Sequence, residues 1–165
     1  MRPNTMLATV FFLALFLLPG CDRISGEQLG LLTAGAVAAK ERASAFEIIR
    51  GGITAAEPQH AAGVQKWSAA HAEGLAAQAK GLNDLVESVR LHNALGDAAR
   101  QQIALEAETA AARLDGFVKV LPYLMGAGDG TAFKAWAEDH GKALKVQAET
   151  LKALALKLQK GKPKP

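Results

Sequence analysis

Cysteine occurs once in the 165 residues, tyrosine once, tryptophan twice and phenylalanine six times. A single cysteine excludes an internal disulfide framework and every zinc or iron–sulfur site built on several thiolates. Scarce aromatic and β-branched residues argue against a β-rich fold. What is abundant is alanine, with 34 residues, and leucine, with 22. With Glu, Gln and Lys these are the strong helix formers, so the composition predicts an all-α protein. Apart from the N-terminus the length suits one domain.

The N-terminal segment MRPNT carries one positive charge at Arg2, and Met6 to Leu18 is then an uninterrupted apolar run of 13 residues. Spanning a bilayer takes about 20 such residues, so the run has the size of a signal-peptide core and not of a transmembrane anchor. It stops at Leu18-Pro19-Gly20-Cys21, where the only cysteine falls. This stretch resembles a bacterial lipoprotein signal peptide. Leu18 and Gly20 fit the lipobox, while Pro19 stands where a small or β-branched residue is common. The resemblance covers residues 1–21 and no family is recognised for the rest.

The resemblance implies removal of residues 1–20, a diacylglycerol on the Cys21 sulfur and a short lipidated linker over 21–26. At about 0.8 kcal/mol per buried CH₂, several acyl chains hold a small domain on a membrane. The mature chain then faces the periplasm. Asp22 is similar to the enterobacterial signal for staying in the inner membrane, with the outer membrane as the alternative. An ordinary secreted protein with a cysteine near its cleavage site is the competing reading.

From residue 27 on, the apolar pattern has helical period. A first helix is expected from Glu27 to Arg50 along Leu29, Leu32, Ala36, Ala39, Ala43 and Phe46, stopped by Gly51-Gly52. Thr54 and Glu57 have capping-box spacing with Pro58 in the first turn, which predicts a second helix from there to about Leu95. The third follows Ile103, Ala107, Ala110, Leu114, Phe117, Leu121 and Leu124, with Pro122 loosening its end. Gly126–Gly130 reads as a helix–helix connection, since a phosphate loop needs a preceding strand. The fourth helix runs from Thr131 to about Gln159, and a Lys/Pro tail over 161–165 closes the chain. Four amphipathic helices with short connections predict an antiparallel four-helix bundle. Alanine on the seams implies close helix approach and leaves a homodimer open.

An internal repeat is the sharpest signal. At an offset of 69, Trp67, His71, Leu75, Gln78, Ala79, Leu82 and Leu85 fall on Trp136, His140, Leu144, Gln147, Ala148, Leu151 and Leu154. At an offset of 71, Ala39, Arg42, Phe46 and Ile49 fall on Ala110, Arg113, Phe117 and Val120. Leucine and alanine matches come cheaply in such sequences; the only two tryptophans do not. The spacing predicts two tandem helical hairpins, about 27–95 and 97–160. It sets His71 opposite His140 across a pseudo-twofold axis, with Trp67 and Trp136 a turn before them and Gln78 and Gln147 two turns along.

A polar layer inside an Ala/Leu core must be hydrogen-bonded. One expectation is that the histidines pair with Gln, backbone carbonyls or water and fix helix register. Another is a ligand site, with haem iron held between His71 and His140 and Gly74 and Gly141 near the ring. A pH-responsive switch is a third. Two histidines without further ligands do not complete a metal site, so no metal is expected. His60 and His92 lie near helix ends and read as solvent-facing.

Residues 142–165 hold seven lysines against one glutamate, a balance of +6, whereas residues 22–141 carry −4. Lys157, Lys160, Lys162 and Lys164 could meet anionic headgroups or an acidic partner; the alternative is a solvated helix end. Nucleic acid is not expected for a domain outside the cytoplasm. With no nucleophile–base pair in view, the residues point to a non-enzymatic envelope adaptor or assembly factor, pilot-like or exclusion in type. A haem or small-ligand carrier and a self-associating scaffold are the alternatives.

Overall fold

The computed structural model describes residues 23–126 and 130–160, the side chain of Lys160 excepted. The signal-peptide segment with Cys21 and Asp22, and the tail lysines Lys162 and Lys164, lie outside the described residues.

Within them the chain is all-α, with four helices and one small sheet. Helix α1 spans Gly26–Arg50, strand β1 Ile53–Ala55, α2 Ala61–His92, α3 Asp97–Val120, β2 Leu124–Gly126 and α4 Thr131–Lys160. Short 3₁₀ turns, Pro58–His60 and Leu121–Tyr123, precede α2 and β2. The most extensive packing joins α1 to α2 and α3 to α4, the two expected hairpins, with α1 against α4 and α2 against α3 between them.

The entry to α1 is a complete capping box. Ser25 Oγ accepts from the Gln28 N–H at 3.1 Å, and Gln28 Oε1 accepts from the Ser25 N–H at 2.9 Å. Thr54 and Glu57, expected to form the box of the second helix, do not: Thr54 sits in β1 and α2 begins only at Ala61. Asn93, at φ 47°, ends α2 in the left-handed conformation that Asn tolerates.

Leu124 is likewise not the end of a helical stripe. Pro122 lies in the first turn of the 3₁₀ segment Leu121–Tyr123, and Leu124 enters a strand. The two strands pair antiparallel, Ile53 with Gly126, Thr54 with Met125 and Ala55 with Leu124. The 71-residue offset carries Ile53–Ala55 onto Leu124–Gly126, so the central pair, Thr54 and Met125, joins equivalent positions. A Cβ on Gly126 would fall on Cβ and Cγ of Phe133. Gly126→Ala should cost about 1–3 kcal/mol as an overpacking change, read as a lower urea midpoint at unchanged m value.

The buried apolar residues form two clusters. One, aliphatic, gathers Leu32, Leu82, Val86, Ile103, Leu151 and Leu154. The other holds Phe46, Val64, Leu75, Phe117, Leu124 and Leu144, with Trp67 and Trp136 packed on it. On each helix the residue between the two clusters is polar: Arg42 on α1, Gln78 on α2, Arg113 on α3 and Gln147 on α4.

Candidate functional site

His71 from α2 and His140 from α4 meet directly, Nε2 to Nε2 at 3.0 Å, and each is only 5 % exposed. Trp67 and Trp136 each lie one helical turn before their histidine, and the i,i+4 spacing lays indole over imidazole. The centroids are 4.8 Å apart for Trp67–His71 and 5.0 Å for Trp136–His140, both pairs stacked. Phe46 from α1 meets Trp67 edge-on at 6.0 Å, and Phe117 from α3 meets Trp136 edge-on at 6.2 Å. The same phenylalanines approach His71 at 4.8 Å and His140 at 5.0 Å. Residues matched by the two offsets thus make matching contacts, and the two matched histidines contact each other.

Two imidazoles joined through Nε2 share one proton, so as a neutral pair they are opposite tautomers, one donating and one accepting. Burial holds both neutral. The pKa of His71 is lowered to about 3 by burial, then by the charges of His140 and Arg113. That of His140 is lowered to about 4 by burial and by Arg42.

The glutamines do not pair with the histidines, as one expectation had it. Two turns along a helix put them about 10 Å away, and arginines from the neighbouring helices claim them instead. Arg42 Nη1 donates to Gln147 Oε1 and to the Ala143 carbonyl, each at 3.0 Å. Arg113 Nη1 donates to Gln78 Oε1, and its Nη2 donates to the Gly74 carbonyl at 2.8 Å. These pairs too are related by the repeat. Gly74 and Gly141 make room for protein, not for a porphyrin: a Cβ would meet Arg113 Nη2 at 3.2 Å in one case and Phe117 Cε1 at 3.3 Å in the other.

Arg42, which is buried, and Arg113, which is half-buried, align in the repeat, but nothing local in the sequence marks them as inward-facing. The signal available was that they are the only charged residues among the matched positions. Burial lowers the pKa of both, with Arg113 adding to the effect on Arg42 and Glu106 opposing it at Arg113; guanidinium stays charged throughout. The two guanidiniums donate to amide oxygens and backbone carbonyls, while Arg42 Nε and Gln147 Nε2 have no hydrogen-bond partner.

As placed, the histidines do not fit haem. Each metal–imidazole bond is about 2 Å long, so an iron ligated from both faces separates the nitrogens by about 4 Å, and these are 3.0 Å apart. Among the described residues no group of three or more His, Cys, Asp or Glu could hold a metal ion, and no helix is long and apolar enough to cross a membrane. His92 is exposed, as expected, and bonds the Ser88 carbonyl at 2.8 Å. His60 is only half-exposed, because its ring lies 4.5 Å from that of Tyr123. Lys157, at the basic end of α4, is exposed and ion-paired with Glu27 at 2.7 Å. Comparison with protein-family models, with curated proteins and with solved structures finds no match to this chain.

Proposed function

We propose that the protein is a lipid-anchored, non-enzymatic adaptor or assembly factor of the bacterial cell envelope, pilot-like or exclusion in type. Its four helices form an antiparallel bundle of two related hairpins. Cys21 carries the anchor, Asp22 favours the inner membrane, and the helices face the periplasm.

The observation that carries this reading is an open groove of about 450 Å³ between α3 and α4. Its floor includes Ala104, Ala107, Ala148 and Ala155, small side chains that admit a partner's backbone or bulky anchors. Leu156, 48 % exposed, stands in its lining, with Glu108, Glu149 and Lys152 supplying a charged rim. An apolar floor inside a polar rim is the anatomy of a protein interface.

The test is chemical crosslinking of the lipidated protein in its native envelope, comparing the natural sequence with Ala111→Glu/Leu156→Lys. Ala111 lines the groove and is exposed, as is Leu156, so neither change should lower Tm. A discrete crosslinked envelope protein, lost in the double variant, is the expected result. Crosslinks only between copies of the chain would replace the adaptor with a self-associating scaffold. Identical partners for both proteins would remove the groove from the function.

A further inference from the structure

The start of α1, the loop after α2, the start of α3 and the last turns of α4 meet at one end of the molecule, and the two strands lie at the other. A small pocket of about 140 Å³ opens at their meeting point, lined by Arg23, Gln28, Leu95, Arg100, Lys157 and Leu158. Sites for cofactors and drug-sized ligands run to about 300–1,000 Å³, so this one suits a single compact group. Three of its lining side chains are cationic. Arg100 is fixed in place, since its Nη1 donates to the Leu158 carbonyl at 2.9 Å and its Nε and Nη2 reach the Leu95 carbonyl at 3.4 Å. Arg23 and Lys157 are exposed. Lys157 pairs with Glu27 at 2.7 Å with both side chains largely in water, a kind of pair weak enough for a competing anion to displace.

The surroundings share the sign. Residues 23–28, 88–100 and 156–160, which make up this end, hold five Lys or Arg against Glu27 and Asp97, a balance of +3. Leu91, in the last turn of α2 beside Arg90, is 82 % exposed. Basic side chains around an exposed apolar one are what an interfacial surface carries. The position of this end is set by the chain itself. Arg23 follows Cys21 by two residues. A chain covers at most about 3.6 Å per residue, so the Cα atoms of the two stand no more than about 7 Å apart. With diacylglycerol on the Cys21 sulfur, the pocket is held at the headgroup layer.

We propose that this pocket binds the phosphate of an anionic phospholipid, held by the guanidiniums of Arg23 and Arg100 and the ammonium of Lys157. Guanidinium matches the planar pairs of phosphate oxygens and ammonium adds a point charge, and both bonds are charge-assisted. The proposal rests on lipidation of Cys21 and adds an orientation to it. The molecule stands on the membrane by this end, with the sheet and the aromatic histidine site away from the bilayer.

The experiment places the full chain, purified from its membrane, in nanodiscs of phosphatidylcholine with increasing phosphatidylglycerol. The Nε–H resonances of Arg23, Arg100 and Arg50 are read. Arg50 is the control, because it ends α1 about 36 Å along the helix from Gly26. A shift of Arg23 and Arg100 that saturates as phosphatidylglycerol rises, with Arg50 unmoved, is expected. Arg23→Gln/Lys157→Gln changes two exposed positions and should leave Tm nearly unchanged. Read at Arg100, it should weaken the response about 25-fold, or about 5-fold for each basic residue lost at the surface. No saturable shift, or an equal movement of Arg50, overturns the proposal. The same shift produced by inorganic phosphate in phosphatidylcholine discs would assign the pocket to free phosphate and overturn the lipid source. Intact mass reads the anchor separately. A chain without acyl groups on Cys21 overturns the anchor and this proposal together, whereas a lipidated chain whose arginines do not respond overturns this proposal alone.

Discussion

Lowering the pH from 6.5 to 4.5 should remove about 4 kcal/mol of folding stability, the loss approaching about 2.7 kcal/mol for each pH unit well below 6.5, which is the linkage slope for two histidines that bind protons only when unfolded. The folded pKa values, about 3 for His71 and about 4 for His140, lie below the ordinary 6.5. Unfolded chains therefore take up protons first. The contribution is complete above pH 6.5 and is lost as the pH falls toward the folded values. The groups packed around the pair leave the imidazolium forms without compensation. Phe46 on α1 and Phe117 on α3 cover the pair, Trp67 and Trp136 stack on it, and the nearby charges of Arg42 and Arg113 are positive. Domains of this kind are stable by about 5–15 kcal/mol, so mild acid should bring the fold close to its limit.

Urea midpoints at pH 7, 6, 5 and 4.5 measure the slope. Fluorescence is a second readout, because both tryptophans of the chain stack on the titrating rings. His71→Gln/His140→Gln removes both titrating groups and should flatten the dependence across that window. An unchanged slope in the double variant would assign acid sensitivity elsewhere. The window stops at 4.5 because ordinary carboxylates titrate below it.

Phe46→Ala and Phe117→Ala should each cost about 3–5 kcal/mol, the range for emptying a buried phenylalanine site. The two costs should agree within about 1 kcal/mol. Both rings are essentially fully buried, at 0 % and 1 % exposure, and each meets both histidines and both tryptophans. Equal losses from residues 71 positions apart would show that the halves are energetically as well as geometrically equivalent. Because both rings cover the same histidines, the double variant should lose less or more than the sum. Additive behaviour would mean that the rings act separately. Denaturant unfolding at pH 7, where the histidines are neutral, gives all three values.

Much of the aromatic site was legible. Tryptophan is too rare here for a chance match, and its recurrence with His four residues on and Gln seven beyond that located one structural layer twice. The four helices followed from apolar period. The strands did not: three residues are too short to show a period of two, and Ile53–Ala55 pairs only because Leu124–Gly126 arrives beside it from the other hairpin. Capping-box spacing occurs both at Ser25 and Gln28, where the box forms, and at Thr54 and Glu57, where strand pairing overrides it. Spacing alone cannot say whether the backbone at a candidate cap is free to cap.

The sequence by itself determined the all-α class, the boundaries of α1 and α4, and that two similar segments carry Trp, His, Gln, Phe and Arg in step. These are properties of single segments, written in local propensity and period. Only the tertiary structure decided what the rare residues do with one another. The histidines bond each other because the packing of the four helices brings one residue of α2 and one of α4 together in the core. Arginines enter the core because glutamine oxygens and backbone carbonyls from an adjacent helix stand ready to accept. Contacts between segments more than a hundred residues apart, such as Arg42 with Gln147, depend on which helix faces are brought together, and no local pattern encodes that.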